Sequence, residues 1–101
     1  TATIQIKKGE KVLKDAMMGD GPVDAIYKTI NRILNIEPKL IDFQIKAITK
    51  GQEAQGEVTV RVVKEKKEVT GRGISTDILE ASAKAYLDAI SKLEDIKKDK
   101  R

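Results

Sequence analysis

Twice in this chain a Gly-x-Gly triplet hands the backbone into a helix that carries aspartate in its opening turn, and that repetition narrows the possible folds more than any other feature. Gly19-Asp20-Gly21 leads into Pro22-Val23-Asp24, and Gly71-Arg72-Gly73 leads through Ile74-Ser75-Thr76 to Asp77. Ahead of the first triplet, Ile4 and Ile6 alternate with polar neighbours, and Gly9-Glu10 marks a turn into a second strand at 11–18. Pro22 suits a first helical position, where its missing N–H is not needed. Val23, Ile26, Tyr27, Ile30, Ile33 and Leu34 then keep one helical face, predicting a helix from Pro22 to Asn35 that stops before Pro38.

The second half repeats the theme at greater length. Ile41, Phe43, Ile45 and Ala47 alternate with Asp42, Gln44 and Lys46, which predicts a strand over 39–49. Residues 50–56 read as a polar loop. Val58, Val60 and Val62 should point inward from the next strand, residues 65–67 should turn the chain, and 68–74 should complete a meander. A final helix starts near Ser75 or Thr76, both good N-cap types, with Asp77 and Glu80 complementing its dipole. Its buried stripe is Ile78, Ser82, Ala85, Tyr86, Ala89, Ile90 and Leu93; the charged run 94–101 should fray. The expected fold is α+β, two related sheet-plus-helix (βββα-type) units in the order ββαβββα. Either the first unit is naturally shorter, with no counterpart to the strand at 39–49, or the chain starts inside a longer protein; residues 1–93 form one domain.

Composition removes most chemistry. With no cysteine and no histidine among 101 residues, there is no thiolate nucleophile, no imidazole base and no Cys- or His-based metal site. No catalytic residue, cofactor or metal is therefore expected. No run approaches the roughly 18 apolar residues of a membrane span. The formal charge is +4, but it comes from sixteen Lys and only four Arg, with three aromatics in all. Nucleic-acid readers depend on Arg forks and stacking rings, so the excess describes a Lys/Glu-rich solvated surface. Neither a nucleic-acid nor a membrane partner is expected. A small basic nucleic-acid-binding module is the contrasting reading, and it would need exposed strand aromatics; Phe43 is the only strand aromatic.

The two junctions are the candidate site. Glycines at a helix N-terminus expose unpaired N–H groups that favour a carboxylate or phosphate. Asp20, Asp24 and Asp77 would repel a phosphate but could receive an ammonium, and an anion and a cation held together describe a free amino acid. The competing reading assigns the glycines to tight turns and the aspartates to helix caps, the better assignment for Asp77. Tyr27 and Tyr86 lie on apolar helical faces and read as packing, as does Met17-Met18. The small residues of 81–89 allow the close approach of a neighbour.

GDGPVDAIYKTIN at 19–31, GEVTVRV at 56–62 and GRGISTDILEASAKAYLDAI at 71–90 resemble, in order and spacing, the C-terminal regulatory domain of 2-isopropylmalate synthase, shared with citramalate synthase. The resemblance implies a dimerising α+β module of two βββα units in a cytoplasmic biosynthetic enzyme. It also implies feedback by leucine, or by isoleucine in the citramalate enzymes, on a separate catalytic barrel. That barrel and one expected first strand are missing here, so the chain reads as a regulatory piece without acyl-transfer activity of its own. Carried over, the effector site comprises Gly19, Asp20, Gly21, Pro22, Val23, Asp24, Ala25 and Ile26, with Gly73, Ser75, Thr76, Asp77 and Ile78 opposite and Ala54 contributing from a loop. The implied partners are the effector, a second copy and the catalytic domain of the parent enzyme.

Overall fold

The computed structural model describes residues 18, 21–51 and 53–99. The two strands expected at 2–8 and 11–18 fall, apart from Met18, outside the described residues, as do Gly19 and Asp20. Within them the order is helix α1 (Pro22–Leu34), strands β1 (Lys39–Lys50), β2 (Glu53–Lys64) and β3 (Lys67–Ser75), then helix α2 (Ile78–Asp99). The fold is α+β, as expected. The three strands form one antiparallel sheet in the order β1-β2-β3, and both helices cover one face of it.

The valine alternation in β2 sets that face. Val58, Val60 and Val62 are fully buried, flanked by Phe43 and Ile45 of β1 and Val69 of β3. Their alternate partners, among them Lys46, Arg61, Glu68 and Arg72, turn outward, so a one-residue slip would invert the whole pattern. α2 lies across β2 and β3. Its buried stripe contains Ala81 along with Ser82, Ala85, Tyr86, Ala89 and Ile90, while Ile78 and Leu93 are partly buried. The helix extends as far as Asp99.

Two local expectations need correction. Residues 53–56 belong to β2, because Lys50 pairs with Glu53, Thr49 with Ala54 and Ala47 with Gly56. The 50–56 loop therefore shrinks to a two-residue turn, entered through Gly51 at φ +68°, a left-handed geometry that glycine adopts without penalty. Ile41 does not share a face with Phe43: Leu40 pairs with Val62 and Asp42 with Arg61, so Ile41 is the extra residue of a bulge. It is left exposed while Leu40 turns toward the core.

α1 sits beside α2 on the β1 side of the sheet. Tyr27 meets Phe43 edge to face at 6.4 Å and stacks on Tyr86 with centroids 4.0 Å apart. The Tyr27 hydroxyl donates to the Ser82 carbonyl at 2.9 Å, and one turn further along both helices the Tyr86 hydroxyl donates to Asn31 Oδ1. Advancing four residues on each helix keeps the contact, so α1 and α2 run parallel. This bears directly on the site. Parallel neighbours place both helix N-termini, with Gly21 before one and Ser75 to Asp77 before the other, at the same end of the helix pair.

Candidate functional site

One turn before the Tyr27–Ser82 contact, the helical repeat brings Val23 of α1 level with Ile78 of α2. Val23 is fully buried, and Met18, Ile26 and Ile78 are partly buried against the same core. Ile78 reaches down onto β2, where its Cδ1 occupies the space a side chain at Gly56 would need. Ala54 lies two residues from Gly56 on the same inward face, with Ala47 and Thr49 paired beside them on β1. The β1–β2 hairpin thus overhangs the first turns of the helices. Described members of the predicted set from Gly21 to Ile26, with Ala54 and Ser75 to Ile78, converge on this end.

The two helix starts differ in their capping. At α2, Asp77 Oδ1 accepts the Leu79 N–H at 2.9 Å, and Ser75 Oγ accepts the Asp77 N–H at 3.2 Å. Asp77 is therefore a helix cap, and its amide-facing oxygen is occupied. Asp77→Ala is expected to lower stability by about 1 kcal/mol, seen as a lower urea midpoint at unchanged slope. At α1, Gly21 is the N-cap residue, and among the described residues no side chain caps the helix. Pro22 has no N–H, so the amides of Val23 and Asp24 carry the positive end of this helix without a side-chain partner among the described residues. Asp24 itself is drawn sideways onto Lys28 Nζ at 2.8 Å.

Gly73 has a different role from the one its sequence context implied. It is buried beneath α2, where an added Cβ would stand 2.6 Å from the Ala85 nitrogen and 2.7 Å from Lys84 Cβ. Its missing side chain admits the helix, not a ligand. Gly56, in contrast, was not singled out. Its pairing with Ser75 emerges only once residues 53–56 are recognised as strand, which their weak β-propensity concealed.

Two open cavities lie at the opposite end of the helix pair. One, of about 490 Å³, is bounded by Leu34, Ile36, Ile90 and Leu93 with Lys64 and Glu65 at its rim. Its neighbour, of about 690 Å³, is bounded by Lys28, Asn31, Arg32 and Glu37, with Asn35, Ile36 and Lys64 shared between the two. Neither is lined by a residue of the predicted effector set. All three aromatic rings are buried in one cluster, which leaves the sheet without a stacking surface for bases. Among the described residues there is no helix long and apolar enough to cross a membrane, and no acidic cluster able to hold a metal.

Comparison with known proteins places this chain in a family. The model of the LeuA allosteric (dimerisation) domain matches residues 1–94. A 2-isopropylmalate synthase of Carboxydothermus hydrogenoformans is 60% identical over 95 residues, covering 92% of this chain. Those of Methylacidiphilum infernorum and Heliobacterium modesticaldum are 49% and 46% identical, over 90% and 92% of the chain. The chain spans 18% of the length of each of these relatives, and no solved structure matches it. With its signature segments in register along nearly the whole sequence and an α+β fold behind them, the chain belongs to the LeuA allosteric (dimerisation) domain family.

Proposed function

We propose that this domain is the leucine sensor of a 2-isopropylmalate synthase, acting as a homodimer and carrying no acyl-transfer activity by itself. The observation that supports the reading best is the parallel helix pair, which gathers the two helix starts at one end and leaves that of α1, behind Gly21, without a side-chain cap among the described residues. The effector carboxylate would take the Val23 and Asp24 amides. The Asp24 carboxylate, in the same turn, would exchange its Lys28 partner for the effector ammonium. Because Val23 is fully buried, the wall for the isobutyl group falls to Ile78, Ile26, Ala47 and Ala54. Inhibition follows if leucine binds one arrangement of the sensor and catalytic domain more tightly than the other.

Isothermal titration of the chain with leucine, isoleucine and valine tests this. Leucine should bind tightest, with isoleucine weaker by roughly 1–3 kcal/mol because one methyl is misplaced. Isoleucine as the tightest ligand would transfer the domain to the citramalate enzymes. Absence of heat from all three would remove the sensing assignment.

A further inference from the structure

A single run of contacts leads from the effector corner to the cavities at the far end. The Ile78 carbonyl accepts from Ser82 Oγ at 2.7 Å, and the Ser82 carbonyl accepts from the Tyr27 hydroxyl at 2.9 Å. Tyr27 lies flat on Tyr86, 10° from parallel, and the Tyr86 hydroxyl donates to Asn31 Oδ1. The Asn31 carbonyl then receives the N–H groups of both Asn35 and Ile36, closing the C-terminus of α1. Asn35 and Ile36 line both cavities. The run crosses from α2 to α1, back through the stacked rings to α2, and again to α1. A displacement of α1 along α2 therefore changes both ends together, since it must break or re-form both hydroxyl bonds.

We propose that this tyrosine clasp couples occupancy of the corner to the shape of the far-end cavities, with α1 as the moving part. The proposal deepens the sensing reading, and its ligand arm rests on that reading. The clasp has the properties a two-position joint requires. Stacked ring faces can slide, each hydroxyl has one directed acceptor, and α2 offers the Tyr27 hydroxyl further backbone carbonyls one turn away. A spatial path alone does not establish coupling, so the test perturbs one end and reads the other.

Amide hydrogen exchange of this chain, measured residue by residue, provides the readout. Ile78→Ala alters the corner without touching the clasp; Ser82→Ala is the milder companion should the first unfold the domain. Either should speed exchange at Asn35 and Ile36 about fivefold or more, relative to the amides of β2. In a Tyr86→Phe background, which keeps the ring stack and loses only the bond to Asn31, the same change should add less than about twofold. Unchanged exchange at Asn35 and Ile36, or an equal effect with and without the hydroxyl, would overturn the clasp whatever leucine does. In the ligand arm, leucine should alter exchange at Asn35 and Ile36 in the wild type and far less in Tyr86→Phe. Leucine that binds without reaching those amides also overturns the clasp. Leucine that gives no heat overturns the effector site alone, and the Ile78 arm still decides the coupling.

Discussion

Gly73→Ala is expected to be among the most damaging single substitutions in this domain, with Gly71→Ala close behind it. β3 and α2 meet along a seam in which Gly71 and Gly73 face Ala81, Ala85 and Ala89, and the backbones come within reach of one another. A Cβ at Gly71 would stand 2.5 Å from the Ala89 nitrogen and 2.7 Å from its Cβ, and closer still to the Ala85 carbonyl oxygen. At Gly73 the obstacles are the Ala81 oxygen and the Ala85 nitrogen. These are helix backbone atoms, which cannot rotate away as the tip of a side chain can, so α2 would have to lift off the sheet. Overpacking of this kind costs about 3 kcal/mol or more per site, set against a total stability of roughly 5–15 kcal/mol. The double variant should be unfolded at room temperature, and each single variant should show a much lower urea midpoint. Gly51→Ala is the control: a Cβ there meets nothing within 4 Å, so its cost is confined to the left-handed backbone, about 1–2 kcal/mol. Equal losses at Gly51 and Gly73 would show that close approach is not what the seam requires.

That seam also marks where sequence reasoning stopped. The residues with a strong period were readable: the Val58-Val60-Val62 alternation gave β2, and the face from Val23 to Leu34 gave α1 within a residue of its end. Asp77 was legible as a cap because its chemistry is local. Gly73 was not, since the same glycine serves a ligand or a helix, and only the path of α2 over β3 decides between them. The bulge at Ile41 was hidden because Ile41, Phe43 and Ile45 alternate without a break, and the extra residue is defined by pairing with β2. Residues 53–56 looked like loop because glutamate, alanine, glutamine and glycine are poor strand formers; the partner strand recruits them. The far-end cavities were illegible for a related reason, being formed by residues from α1, β2 and α2 that no local motif connects.

Alkaline pH should unfold the domain through Tyr27 and Tyr86. Both rings are buried, at 5% and 1% exposure. Burial pushes the Tyr27 phenol well above its ordinary range, and the facing Tyr86 adds to the shift. Burial also raises Tyr86, with its bond to Asn31 opposing in part. In the unfolded chain both phenols ionise near the ordinary value of about 10. Above that pH the unfolded state has released protons that the folded state still holds, so it binds fewer protons and stability falls as pH rises. The contribution is therefore complete below about pH 10 and is lost from there toward the raised folded values, by up to about 1.4 kcal/mol per pH unit for each tyrosine. Urea midpoints from about pH 8 to about pH 12 should be flat and then drop. Tyrosinate absorbance should rise only as helical dichroism disappears. Tyr27→Phe removes one of the two titrations, so its stability should start lower by about 1 kcal/mol for the lost bond to the Ser82 carbonyl and then fall with a shallower slope. Tyrosinate that forms while the helices remain intact would mean that the rings are open to solvent, and the stacked pair could not then be the buried joint between α1 and α2.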